Sequence, residues 1–343
     1  MSNKVTLKQI SEMADVSTAT VSRVINGHTN VSQDIRLRVQ EAIQSTGYQP
    51  NPAARSLAGG RSQVLGLVVP ETTAVLFNDP FYARLAEGAA AAAREHDYVL
   101  SLVLLNALED ETHVVSRILH QHVVDGIVLV ANRHNPSMEH LLALGLPFVL
   151  VGRADHDAVS FVDADNWAGA YTAVTYLIQR GYRRIATITG PEHNFAARQR
   201  RHAYEQALQD RGVPFFPHLV VSGDFSQASG FMAMQKLLQG VSRPDAVFVS
   251  SDTMALGALE ALLAAGVRVP EDMALVGFDD LPSSAVCQPP LTTIRQPIRR
   301  VGRLAVETLL DLLAHGASPA RRLVLPTELV IRASCGEAIP ARS

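Results

Sequence analysis

The chain has 343 residues, 47% hydrophobic and 18% charged, with two cysteines and a formal net charge of -3. Such a length suggests two or three domains, and such a composition supplies a sizeable core and excludes disorder of the whole chain. No apolar run reaches the roughly 18 residues of a membrane-spanning helix, residues 1–17 carry no h-region, and Cys287 and Cys335 form no CxxC pair. The expectation is a cytoplasmic protein without a disulfide framework or zinc finger.

Charge is unevenly placed. Residues 1–61 hold seven Lys/Arg and four Asp/Glu, net +3, whereas the rest hold 23 and 29, net -6. A basic head on an acidic body points to nucleic-acid contact through the head, although so short a window also drifts by chance.

Thr6 to Gln9 has the form of a capping box, followed by Leu7, Ile10 and Ala14 at helical spacing. Ser17 suits the cap of a second helix, about 18–25, with Val21, Val24 and Ile25 on one side and Asn26-Gly27 ending it. Ser32 suits the cap of a third, with an inward stripe of Ile35, Val39, Ala42 and Ile43 and Gly47 as its end. Two short helices across a tight turn, braced by a third, describe a helix-turn-helix unit. Its second helix leaves Thr18, Ala19, Ser22, Arg23 and Asn26 outward or partly so, as a helix read into a major groove requires. Arg23 has the fork to address a guanine edge, while Thr6 and Ser17 are placed for phosphates. A plain three-helix brace with a solvated Arg23 is the alternative.

In residues 48–60, Asn51 can cap, Pro52 suits a first helical position and Gly59-Gly60 terminates. The helix between is under two turns and should form only when held. In a dimer on DNA, paired Leu57 side chains can wedge into the minor groove; an ordinary linker fits the same residues.

From Arg61 onward, short apolar runs (64–69, 99–105, 126–130, 148–151, 185–189, 246–249, 274–277) alternate with amphipathic stretches near 82–96, 112–122, 137–144, 166–180, 197–211, 226–238, 252–265 and 298–314. That alternation means parallel sheets covered by helices on both faces, and there is enough of it for two α/β lobes with a ligand cleft outside the strand ends. Asp279, Ser251-Asp252 and the loop leading to Arg198 follow such ends, and Phe81, Tyr82 and Phe225 can cover a flat or sugar-like ligand. For Asp252 a helix cap is the commoner role, and for each aromatic, core filling. An enzyme on this fold is the rival reading. His120 and His122 do not share a helical face, no HExxH, GxSxG or P-loop pattern occurs, and no nucleophile stands out beside Arg198 and Asp279.

The residues resemble the LacI/GalR family of transcriptional regulators over nearly the whole chain. The likeness lies in Val5-Thr6-Leu7, residues 14–17, 20–26, Val31-Ser32, Gly47-Tyr48, Pro50-Asn51 and 54–57, and in the body in 252–257, 276–279 and 291–297. The resemblance implies an N-terminal all-α helix-turn-helix head, residues 1–50, a hinge at 51–61, and a two-lobed periplasmic-binding-protein-like α/β core at 62–343. The lobes would be about 62–164 with 296–325, and about 165–295 with 326–343, joined by three crossovers. It further implies a homodimer reading a pseudo-palindromic operator on the bacterial nucleoid, controlled by a small effector such as a sugar, sugar acid, sugar phosphate or nucleoside, with no cofactor or metal. DNA would be met by Thr6, Leu7, Ser17, Thr18, Ala19, Thr20, Ser22, Arg23, Asn26, Tyr48, Asn51, Ala54 and Leu57. The effector would be met by Phe81, Tyr82, Arg198, Phe225, Ser251 and Asp279. Ser251 stands where the family's namesake has asparagine, and Thr18-Ala19 where it has Tyr-Gln, so both effector contacts and operator should differ.

Overall fold

The computed structural model describes residues 5–25, 30–48, 61–69, 73–104, 123–131, 136–143, 145–153 and 156–336. It divides into two compact units, Met1–Ser62 and Gln63–Ser343.

The first unit is built on α1 (Leu7–Met13), α2 (Thr18–Ile25) and α3 (Gln33–Thr46). The capping box forms: Thr6 N donates to Gln9 Oε1 at 2.8 Å and Gln9 N donates to Thr6 Oγ1 at 3.3 Å. Ser17 Oγ accepts from Thr20 N at 3.1 Å, so α2 starts where its cap predicts. Ser32 precedes α3 but makes no side-chain cap bond; the helix ends at Gly47, whose φ of 62° is left-handed. Ile10, Ala14, Val21, Val24, Val39 and Ala42 close a small core ringed by half-buried apolar side chains. The expected end of α2 at Asn26-Gly27 and the helix of the 51–60 stretch fall outside the described residues.

In the second unit, one sheet contains β1 (Val64–Val69), β2 (Val99–Leu104), β3 (Gly126–Val130), β4 (Phe148–Val151), β5 (Phe161–Ala164) and β11 (Arg322–Leu325). Their order is β11-β5-β4-β3-β1-β2, all parallel. The other contains β6 (Ile185–Thr189), β7 (Val220–Ser222), β8 (Ala246–Val249), β9 (Ala274–Asp279), β10 (Thr292–Arg295) and β12 (Glu328–Val330). Their order is β12-β10-β9-β8-β6-β7, with only β12 antiparallel. The chain therefore passes between sheets after β5, after β10 and after β11. Val/Ile/Leu strands buried on both faces explain the helical cover.

The helices of this unit are α4 (Thr73–Asn78), α5 (Pro80–Glu95), α6 (Pro136–Ala143), α7 (Asn166–Gln179), α8 (Phe195–Asp210), α9 (Gln227–Gln239), α10 (Asp252–Ala264), α11 (Pro282–Val286) and α12 (Ile298–His315). Helices α5 and α12 cover one face of the first sheet, and α6 the other. Helices α7 and α8 cover one face of the second sheet, and α9 and α10 the other. In the first lobe α5 and α12 approach so closely that a Cβ on Gly302 would lie 2.2 Å from Leu85 O, and one on Gly88 would lie 1.9 Å from Arg299 O.

Five strands escape the hydrophobic runs: β5, β7, β10, β11 and β12. Strand β10 reads Thr-Thr-Ile-Arg because its buried threonines spend their hydroxyls inside the protein: Thr293 donates to Asp252 Oδ1 at 2.6 Å and Thr292 donates to Arg332 O at 3.0 Å. Asp252 in turn is no cap. Ser251 caps α10, while Asp252 is fully buried and also accepts from Leu281 N and the Ser284 hydroxyl. The expected helix at 112–122 falls outside the described residues.

Candidate functional site

In the head, the buried positions Val21 and Val24 turn the other side of α2 outward. Thr18, Ala19 and Arg23 are exposed, and Thr20 and Ser22 half-buried. Thr6 is exposed before α1, and Leu7 and Tyr48 are half-buried at the rim of the head core. Asn26, Asn51, Ala54 and Leu57 fall outside the described residues.

In the body, a cavity of about 660 Å³ lies between the lobes, at the carboxyl ends of both sheets. Asp79 caps α5 by accepting from Phe81 N at 3.0 Å, which places Phe81 and Tyr82 in the first helical turn at the cavity wall. Their rings meet edge-on, 5.3 Å apart. The same Asp79 oxygen accepts from Thr253 Oγ1 at 3.4 Å, joining the first lobe to the start of α10 in the second. Phe225, with φ of 72°, lays its ring over Gly190 at the opposite wall.

The floor is charged. Asp279, at the end of β9, is 4% exposed and accepts from Gln296 Nε2 on the crossover after β10. It faces Arg200 Nη1 at 3.8 Å. Arg200, 5% exposed, also donates from Nε to Asn166 Oδ1 at 2.9 Å and from Nη1 to Ser250 O, and its guanidinium stacks on Phe278 at 3.6 Å from the ring centroid. Arg153 pairs with Asp163 at 3.2 Å. Burial lifts the Asp163 carboxyl to about 6 despite that arginine. Burial likewise raises Asp279 and Asp79, and pulls Arg200 below the usual arginine range. Such a set of carboxylates, guanidinium and aromatic rings suits a ligand that offers hydroxyls on its edges and an apolar face.

Five of the six expected effector residues border this cavity: Phe81, Tyr82, Phe225, Ser251 and Asp279. The hydroxyl of Ser251 accepts from Met254 N at 3.1 Å. Arg198 is the exception. It is exposed, donates to the carbonyls of Glu192 and His193 and lies over the Phe195 ring. Two residues along a helix turn the side chain by about 200°, and it is Arg200 that enters the cleft. The signal was present: Arg200 falls in the inward stripe Ala197, Ala203, Tyr204 and Ala207, a lone cation on an apolar face. Asp79 was announced by Asp-Pro ahead of an amphipathic run. Asp163, Asn166 and Gln296 gave no local signal. Among the described residues no group of three or more His, Cys, Asp or Glu is placed to hold a metal ion, and no helix is long and apolar enough to cross a membrane.

A helix-turn-helix reader together with a two-lobed α/β receptor defines a class, the DNA-binding regulators with a periplasmic-binding-protein-like body. Residues 6–51 match the bacterial regulatory proteins of the lacI family, and residues 174–335 match the periplasmic binding protein-like domain. The HTH-type transcriptional regulator CelR of Thermobifida fusca is 39% identical over 333 residues, covering 96% of this chain and 98% of that protein. The ribose operon repressor of Escherichia coli K12 is 37% identical, covering 96% and 99%. Among solved structures, a CelR–cellobiose complex aligns with a TM-score of 0.76 at 38% identity, over 96% of this chain and 99% of that one. A lac repressor dimer bound to operator and the anti-inducer ONPF aligns with a TM-score of 0.85 at 29% identity, over 98% and 100%. The chain belongs to the LacI family of bacterial transcriptional regulators. It is a DNA-binding regulator and not an enzyme.

Proposed function

We propose that this regulator is a homodimeric repressor acting in the cytoplasm at the nucleoid, whose grip on a pseudo-palindromic operator is set by a sugar bound between the lobes. Residues 1–50 form the reader, 51–61 the hinge and 62–343 the receptor, with lobes at about 62–164 with 296–325 and 165–295 with 326–343. Thr6, Leu7, Ser17, Thr18, Ala19, Thr20, Ser22, Arg23, Asn26, Tyr48, Asn51, Ala54 and Leu57 face DNA. Phe81, Tyr82, Phe225, Asp279 and Arg200, in place of Arg198, face the sugar, and Ser251 holds the adjoining helix start. The observation that carries the reading is the cavity between the lobes, floored by Arg200 and Asp279 and walled by Phe81, Tyr82 and Phe225. The relatives support it: one is solved with cellobiose and another is named for the ribose operon.

A ligand shifts the lobe equilibrium only by its difference in affinity for the two arrangements. A thermal-shift panel of cellobiose, ribose, sugar phosphates and nucleosides tests the ligand class. A neutral sugar is expected to raise the melting temperature, since it binds the folded state alone. A response to nucleosides or phosphates only would overturn the sugar reading. On the DNA side, Arg23→Ala is expected to relax specificity at one base position at a cost of about 1–3 kcal/mol. Uniform weakening on every sequence would move Arg23 to a phosphate.

A further inference from the structure

The buried charges of the two lobes meet through one amide. Asn166 is the first residue of α7, on the crossing that leads from β5 in the first sheet to the second. Its Nδ2 donates to Asp163 Oδ1 and to Ala164 O, both at 3.1 Å. Its Oδ1 accepts from Arg200 Nε at 2.9 Å. Both amide hydrogens are thus used on the β5 side, and the oxygen on the α8 side. A second path runs parallel: Arg153, paired with Asp163, lies 5.9 Å from the centroid of the Phe195 ring at the first turn of α8. Asp163 is therefore tied to α8 twice, through Asn166 to Arg200 and through Arg153 to Phe195.

We propose that Asn166 is a positioning residue that transmits ligand contact at Arg200 to Asp163 in the other lobe, and so couples sugar occupancy to lobe arrangement. The inference rests on the reading of the cleft as an effector site. With its amide hydrogens spent on Asp163 and Ala164, Asn166 has no donor left for a sugar hydroxyl. Its geometry matters all the same: any shift of Arg200 toward a ligand must stretch a bond made on the inter-lobe crossing or carry that crossing along. An amide whose two hydrogens and oxygen are all engaged resists partial rearrangement, so it favours two arrangements over a continuum.

Asn166→Asp separates the two halves of the amide: the carboxylate still accepts from Arg200 but cannot donate to Asp163. Two measurements on the full-length protein test the proposal. The first compares the affinity for cellobiose with the ratio of operator affinities without and with cellobiose, using an inverted-repeat duplex selected by the wild-type protein. The ratio is expected to fall by about tenfold or more while the cellobiose affinity changes by about threefold at most. A parallel fall in both, or no change in the ratio, would overturn the relay. The second measurement needs no ligand. Amide exchange in the first turn of α8 and at the end of β5 is expected to rise about tenfold or more in Asn166→Asp, with the interiors of β3 and β8 unchanged. Unchanged exchange at both places rejects the proposal even if cellobiose fails to bind wild-type protein, an outcome that would instead count against the sugar reading. If Asn166→Asp does not fold, Asp163→Ala removes the acceptor from the other side, and the exchange measurement alone then decides: the same rise is expected in the first turn of α8, and unchanged exchange there rejects the proposal.

Discussion

Replacing Arg200 by methionine leaves Asp279 buried without its cation, whereas the same change at Arg198 removes an exposed guanidinium bound to two carbonyls. Loss of one partner of a buried ion pair costs about 3–5 kcal/mol, while a surface change stays within about 0.5 kcal/mol. Urea unfolding of the two variants is expected to differ by that margin, and only Arg200→Met should lose sugar binding. Equal stabilities would return the role to Arg198. Asp163 offers a pH test. Its folded carboxyl titrates near 6 rather than 3.8, so between those values the folded protein binds a proton that the unfolded chain has released. This contribution to stability is present below about pH 4 and is lost as pH rises to about 6, on the order of 3 kcal/mol in all. The stability of Asp163→Asn relative to wild type should accordingly improve across that window and level off above it; a flat difference would contradict the burial argument. The arginine near position 200 was legible in the sequence as a cluster, Arg198-Gln-Arg200-Arg201, but a motif match names the window. The helical face names the residue.

Elements with a strong period were readable, and those whose stability is tertiary were not. Strands β1, β3 and β4 declare themselves as unbroken apolar runs. Strand β10 is half threonine, and nothing near it in sequence shows that Asp252, some forty residues earlier, will receive one of its hydroxyls. Helices α5 and α12 were visible as periodic stretches, but their near contact depends on Gly88 and Gly302 being adjacent in space. Gly302→Ala would bring a methyl group to 2.2 Å from the Leu85 carbonyl, a backbone atom that cannot step aside. The helices would have to part, at a cost of about 1–3 kcal/mol. A lowered melting temperature in the isolated variant checks this, and an unchanged one would mean the pair separates freely.

For the molecule as a whole, charge and function divide at the same place. The head is basic and holds its own core, and the body is acidic and holds the cavity. Removing residues 1–62 is expected to abolish selective operator binding and to leave sugar binding, read by calorimetry, within about twofold, since the removed unit has a separate core. Loss of both activities would deny the division of labour. The two-lobed architecture was legible from strand and helix alternation together with family likeness. The crossing between β11 and β12 was expected from the family likeness alone, at the 325/326 boundary, because two residues between adjacent strands carry no local hint that the chain crosses there.

The packing of Phe225 upon Gly190 has an evolutionary side. A methyl group at position 190 would fall 2.2 Å from the ring and push it toward the chamber. One codon change to alanine is thereby expected to deafen the receptor to its ligand while sparing the reader, so that operator affinity would no longer follow that ligand. Selection for a restored ligand response should then recover revertants at two positions: glycine restored at 190, or a smaller side chain at 225.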